Sequence, residues 1–263
     1  MVRPGPVSGK DDRGARYGLA LLGSTNLRLP CTNKLHINTP ISGDNVALRL
    51  SARPRLSSIL ALPFLSTGGA LVFYIVSGVS LPLAILGVVA LTGSIGALVV
   101  VRLPLAARAA VRRRVVRGAA AGLLATAAYD GCRLAVVSVF DLTFWPFDVF
   151  TRFGRLLIGD SVPSALTATV GTAFHYANGV GFGVAYVLFV RRPGVVTGLA
   201  WAAVLETAMV SLYPGWLGLR ALDEFLSVSI AGHVAYGLVL GWSARALLHA
   251  DPAVRGQDAR VPS

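Results

Sequence analysis

The sequence predicts an all-α protein, a polytopic transmembrane helical bundle of about six spans. Two observations predict it: the composition of the chain and the grouping of its charges. Of the 263 residues, 54% are hydrophobic and only 14% are charged, whereas soluble domains carry about 25% charged residues. The charges leave several uninterrupted apolar runs of about 20 residues, the length that crosses about 30 Å of hydrocarbon. We therefore expect the lipid bilayer to surround this chain.

The apolar runs place the spans along the chain. They lie at roughly 57–77, 80–101, 118–140, 165–190, 195–213 and 225–247. Four regions follow from these spans. They are a basic tail over 1–56 with the composition of a disordered segment, a transmembrane hairpin over 57–101, a four-helix transmembrane module over 102–247, and a second tail over 248–263.

Basic residues flank the spans mainly on one side. Six arginines lie between residues 102 and 117, and Arg191 and Arg192 follow the fourth span. Cytoplasmic loops of membrane proteins carry an excess of Lys and Arg, so the side with these arginines is predicted to be cytoplasmic. Six spans, an even number, would place both termini on that same side. The opposite loop over 141–164 contains four Phe and one Trp, a composition typical of a short helix in the outer membrane interface.

The net charge of +12 has the same explanation. Most basic residues adjoin apolar spans, where they orient the protein and contact anionic headgroups. A basic surface also attracts nucleic acid in general, but this distribution does not indicate nucleic acid as a partner.

Two spacing patterns predict an internal repeat. The third and fifth spans share the pattern G-x3-G-x7-acid, formed by Gly118, Gly122 and Asp130 and again by Gly194, Gly198 and Glu206. The fourth and sixth spans share H-x3-G-x3-G, formed by His175, Gly179 and Gly183 and again by His233, Gly237 and Gly241. Two hairpins running in the same direction would form a parallel repeat about an axis along the membrane normal. The glycine stripes would also allow a homo- or hetero-oligomer to pack closely.

Ionisable and polar residues inside the spans form a predicted intramembrane cluster. Its members are Asp130, Arg133, His175, Asn178, Glu206 and His233. At 1.5 Å per residue, Asp130 lies about 20 Å along its helix from Arg117, close to the middle of the bilayer. A charge at that depth costs several kcal/mol unless it faces the bundle interior and finds a partner. These residues are therefore the candidate functional site.

Several chemistries would use this cluster. A layer of Asp, Glu and His can relay protons or bind a coupling cation. His175 and His233 with Glu206 and Asp130 could instead bind a divalent metal such as Zn²⁺ or a non-haem iron, which would activate water in a membrane enzyme. The same two histidines could also be axial ligands of a haem. The sequence contains neither HExxH nor paired CxxC that would specify a metal site, and it requires no cofactor.

A structural role for the cluster stays open beside these chemistries. Asp130 and Arg133 are three residues apart on one helix and could neutralise each other. Glu206 could accept a hydrogen bond from His233 or His175 and join two helices. The protein would then be a structural subunit of a membrane complex. With no recognisable nucleophile motif, the sequence favours a membrane protein that is not an enzyme.

Several segments of the last four spans resemble one family. They are HYANGVGFGVAY from His175 to Tyr186, Gly194-x3-Gly198, Tyr213-Pro214-Gly215-Trp216-Leu217-Gly218-Leu219, and Gly232-His233. These segments resemble the YagU-like bacterial inner-membrane proteins, whose function is unknown. The resemblance implies a location in the cell's inner membrane. In that family a histidine stands about where Glu206 stands here, so the resemblance does not extend to a shared metal site.

Overall fold

A computed structural model describes residues 54–217 and 222–250, and these residues are mainly helical. The helices are α1 (Pro54–Ala61), a 3-10 turn (Leu62–Leu65), α2 (Ser66–Ser77), α3 (Leu81–Val101), α4 (Leu105–Phe140), α5 (Asp148–Ile158), α6 (Ser164–Phe189), α7 (Val195–Leu217) and α8 (Leu222–His249). No strand occurs in these two ranges, so the predicted all-α class is confirmed. The tail predicted over 1–56 lies almost wholly outside the described residues, as does the chain beyond residue 250.

Five stretches of helix in the described part are long and apolar enough to cross a membrane. They are Leu56–Ser77, Leu81–Val101, Leu105–Phe140, Val195–Trp216 and Leu222–His249. The predicted multi-pass helical bundle is therefore confirmed. The span predicted over 165–190 is present as the 26-residue helix α6, but it is not among the five. Its Thr, His and Asn residues lower its mean hydropathy, so its crossing of the membrane stays a prediction.

The arginine-rich segment before the third span is helical, which corrects the predicted loop. Helix α4 begins at Leu105 and not at residue 118, because Ala and Arg are strong helix formers. The Arg108 Nε donates a hydrogen bond to the Leu103 carbonyl over 2.9 Å. The Arg114 Nε donates to the Val187 carbonyl over 3.1 Å and so caps the C-terminal end of α6. Arginine side chains of α4 thus hold the short connection from α3 and the C-terminal end of α6.

Helices α4 and α6 form an antiparallel hairpin with their backbones in contact. A Cβ atom added to Gly122 would lie 2.7 Å from the Gly179 carbonyl oxygen, and one added to Gly183 would lie 2.7 Å from the Gly118 carbonyl oxygen. Real Cβ atoms are not found this close to backbone. The glycine stripes of the two helices therefore meet each other within the chain.

Helices α7 and α8 form a second antiparallel hairpin with the same contacts. A Cβ atom on Gly198 would meet the Gly237 carbonyl oxygen, and one on Gly241 would meet the Gly194 carbonyl oxygen. The contacting glycines of the second hairpin correspond position by position to those of the first. In both hairpins the stripe leads towards the acidic residue of one helix and the histidine of the other.

Helix α4 joins the two hairpins, because it packs on both α6 and α8. The core between them contains small and aromatic side chains from all four helices, namely Ala121, Ala125, Tyr129, Tyr186, Val187, Ala202, Tyr236, Leu240 and Ala244. The Tyr236 hydroxyl donates a 3.0 Å hydrogen bond to the Gly179 carbonyl and so links α8 to α6. This core holds the candidate residues of the two hairpins at one level.

Helix α5 is the short helix predicted in the loop over 141–164. It lies against the first half of α6, where the backbones approach at Gly154 and Gly171. A Cβ atom on Gly154 would meet the Thr167 carbonyl, and one on Gly171 would meet the Phe150 carbonyl. The helix consequently places its aromatic residues beside the end of the cluster that contains His175.

Candidate functional site

The first part of the site is an ion pair with a histidine on the α4–α6 hairpin. The Asp130 Oδ2 lies 3.2 Å from His175 Nε2, and its Oδ1 lies 3.2 Å from Arg133 Nη1. Asp130 and Arg133 are about one turn apart on α4, so both side chains reach the same side of that helix. All three side chains are largely shielded, and Arg133 is only 6% exposed.

Arg133 has further partners that fix its position. Its Nη2 donates a 2.6 Å hydrogen bond to the Pro146 carbonyl. The guanidinium carbon lies 4.7 Å from the centre of the Tyr129 ring and 5.3 Å from that of Phe147, distances typical of cation–π contacts. Asp130 thus balances the charge of Arg133, and the Pro146 carbonyl and the two aromatic rings also interact favourably with the guanidinium.

The second part of the site is a carboxylate–histidine pair on the α7–α8 hairpin. The Glu206 Oε2 lies 2.7 Å from His233 Nδ1 and accepts a 2.6 Å hydrogen bond from the Ser229 hydroxyl. The other oxygen, Oε1, is buried and has no hydrogen-bond partner among the described residues. Three residues after Glu206, where the first hairpin has Arg133, this hairpin has Met209. In the described part of the chain, His233 is the one basic side chain that pairs with Glu206.

Tyr129 contacts both histidines. Its ring centre lies 5.9 Å from that of His175 and 4.9 Å from that of His233, in an edge-to-face arrangement with the latter. The two pairs therefore meet around one buried tyrosine of α4. Phe150 of α5 also contacts His175, with 4.9 Å between ring centres.

A cavity of about 320 Å³ lies beside the two pairs. His175, His233, Arg133 and Tyr129 line it, and most of the remaining lining is apolar. Asn178, one turn beyond His175 on α6, also faces this cavity. Its side-chain Oδ1 is buried and has no hydrogen-bond partner in the described ranges. Asn178 thus belongs to the cavity and not to either pair.

Comparison with known proteins identifies the part of the chain that contains both pairs. A family model described as a family of unknown function, DUF6789, matches residues 112–254. The chain belongs to the DUF6789 family. The match includes most of α4 and all of α5 to α8, and it leaves out α1 to α3. No curated protein and no solved structure matches the chain. The relationship to the YagU-like proteins stays a prediction.

The DUF6789 region arranges the candidate metal ligands as two separate pairs. Asp130 pairs with His175, and Glu206 pairs with His233. Among the described residues, no three His, Cys, Asp or Glu side chains are placed so that they could hold one metal ion. The His175 Nε2 is hydrogen-bonded to its carboxylate, whereas the His233 Nδ1 faces both the Glu206 carboxylate and, at 3.1 Å, the Ser229 carbonyl. Such a pair can exchange a proton between an oxygen and a nitrogen, and it holds the imidazole in one orientation.

Some residues of the DUF6789 site were not predicted from the sequence. Ser229, which donates to Glu206, lies four residues before His233 and therefore on the same helix face. That spacing is a signal that could have found it. The Pro146 carbonyl, which accepts from Arg133, lies in the loop before α5, and no sequence pattern marks it.

Proposed function

We propose that the DUF6789 region is a membrane module that takes up and releases a proton at the Glu206–His233 pair. The observation that carries this proposal is the difference between two otherwise corresponding pairs. Arg133 balances the charge of Asp130, whereas Met209 stands at the corresponding position beside Glu206. Among the described residues, the second pair therefore lacks the arginine that balances the first.

The charges of the two pairs support this assignment. An ionised Asp130 and Arg133 sum to zero when His175 is neutral. An ionised Glu206 beside a neutral His233 leaves one negative charge among apolar helices, which is costly in a bilayer. One proton taken up by this pair removes that net charge, whether the oxygen or the nitrogen holds it. The Tyr129 ring contacts both His233, at 4.9 Å, and the Arg133 guanidinium, at 4.7 Å, and that guanidinium already pairs with Asp130.

Infrared difference spectra across a pH titration test the proposal. We expect a titrating carboxyl or imidazole band in the purified protein that disappears in Glu206→Gln and persists in Asp130→Asn. Asp160, which is exposed in the turn after α5, supplies the control variant Asp160→Asn. A band that persists in Glu206→Gln, or that disappears in Asp130→Asn alone, would reject Glu206–His233 as the exchanging pair.

We also infer that the α4–α6 and α7–α8 hairpins are two copies of one unit. The corresponding glycine contacts and the corresponding acid–histidine pairs support this inference. Both copies would then cross the membrane in the same direction. If proton uptake is coupled to the transport of a second solute, the two hairpins would be the parts that move relative to each other.

The repeat leads to a prediction about topology. If α6 crosses the bilayer, the chain has six spans and both of its termini lie in the cytoplasm. The membrane that it spans would be the inner membrane of the cell. Reporters that work only in the cytoplasm should then be active at both ends of the chain. A reporter inserted at Gly78, between α2 and α3, serves as the control and should be inactive. Termini on opposite sides would mean five spans and would contradict the parallel repeat.

A further inference from the structure

We propose that the cavity binds a membrane-soluble amphiphile, a molecule with an apolar body and a hydroxyl-bearing head, which enters from the bilayer between α2 and α7. This inference goes beyond proton exchange, because it does not depend on the titration of either pair. It rests on the size of the cavity, on a polar atom without a partner, and on an opening towards lipid.

The size and walls of the cavity suit an apolar body. Its volume of about 320 Å³ falls within the range of about 300–1,000 Å³ that is typical of small-molecule sites. An engineered apolar cavity of about 150 Å³ already binds benzene. Large apolar side chains line this one, namely Leu71, Phe182, Leu205, Met209 and Val228. An aliphatic or ring-containing body would gain dispersion contacts with all of them.

The polar groups of the cavity suit a hydroxyl head. The Asn178 Oδ1 is a buried acceptor without a donor in the described structure, and leaving a buried polar atom unsatisfied is unfavourable. His175 uses Nε2 and His233 uses Nδ1 for their carboxylates. Each imidazole keeps its second nitrogen for another hydrogen bond. A hydroxyl can donate its single hydrogen to the Asn178 Oδ1, and its oxygen can accept a hydrogen bond from an imidazole whose second nitrogen carries a proton.

The cavity opens between α2 and α7. Gly69 and Val72 on α2 and Ala208 on α7 line the cavity and are also exposed on the outside of the bundle. A Cβ atom on Gly69 would meet nothing within 4 Å in the described part of the protein. The two helices make few contacts with each other. Because both belong to predicted spans, the solvent at this opening is lipid.

Photolabelling in lipid vesicles tests this site. The probe is a long-chain primary alcohol with a diazirine on its chain, and the labelled residues are located by mass spectrometry. We expect labels on cavity residues such as Leu205 and Met209. Excess unlabelled alcohol should remove these labels, whereas the alkane of equal length should not. Asn178→Leu should weaken the competition about fivefold, the factor expected for one hydrogen bond.

A matched pair of glycine variants tests the entrance. Gly69→Phe should close the opening and remove most of the labelling. Gly87→Phe on α3 is the control, because Gly87 is also exposed with nothing within 4 Å but does not line the cavity. Labelling that is equal in both variants, or an alkane that competes as well as the alcohol, would overturn the proposal. The infrared titration of Glu206–His233 should be unchanged in Gly69→Phe, so the two proposals can fail separately.

Discussion

Gly183→Ala and Gly241→Ala are each expected to destabilise the bundle by about 3 kcal/mol, the upper end of the usual cost of overpacking. The new Cβ atom at Gly183 would lie 2.7 Å from the Gly118 carbonyl oxygen. At Gly241 it would meet the Gly194 carbonyl oxygen and lie 2.8 Å from the Val195 Cα. These neighbours are backbone atoms, which cannot rotate away as a side chain can. The helices of each hairpin must therefore separate.

Gly131→Ala is the matched control for both variants. Gly131 also lies within α4, but a Cβ atom there would meet nothing within 4 Å among the described residues. Replacing glycine by alanine inside a helix then stabilises it by about 0.5–1 kcal/mol. Thermal unfolding in a mild detergent, followed by circular dichroism, measures all three. Equal melting temperatures for Gly131→Ala and Gly183→Ala would show that the helices are not in backbone contact.

Asp130→Leu is expected to destabilise the protein by about 3–5 kcal/mol, the cost of leaving one member of a buried ion pair alone. The remaining Arg133 guanidinium would keep the Pro146 carbonyl and the Tyr129 ring as partners, but neither carries a negative charge. The double variant Asp130→Leu with Arg133→Met removes both charges. We expect it to recover most of the lost stability, because an apolar replacement of a whole buried pair is often neutral.

Asp141→Asn provides the control for this cycle. Asp141 ends α4 in a left-handed conformation with a φ of 47°, which asparagine adopts readily. Its free energy of unfolding should change by no more than about 0.5 kcal/mol. Unfolding of the wild type, Asp130→Leu, Arg133→Met and the double variant in one denaturant series gives the coupling energy between Asp130 and Arg133. A double variant as unstable as the single one would mean that Arg133 does not depend on Asp130 for its charge balance.

The members of the site could be predicted because depth in a membrane is readable from sequence. Asp130, Glu206 and the two histidines interrupt long apolar runs, and such residues are expensive unless they meet partners. The glycine spacing likewise predicted close helix contacts. The structure shows that stripes within the chain meet each other, at Gly122 with Gly179 and at Gly198 with Gly237.

The pairing of these residues could not be predicted in the same way. The sequence left open whether Glu206 meets His233 or His175, because one chain does not reveal the rotation of a helix about its axis. The 3.2 Å contact of Asp130 with His175 and the 2.7 Å contact of Glu206 with His233 settle the pairing in the fold. The start of α4 was also predicted wrongly, since a run of Ala and Arg is compatible with either a cytoplasmic loop or a helix.

The length of α4 has a mechanical consequence. Its 36 residues extend about 54 Å, whereas the hydrocarbon core is about 30 Å thick. The sequence has no proline between 105 and 140 at which the helix would hinge. A force applied to the arginine-bearing end, for example by an anionic partner, would reach Asp130 as a tilt or rotation of one stiff rod. A displacement of the arginine segment is then expected to move the buried ion pair of Asp130 and Arg133.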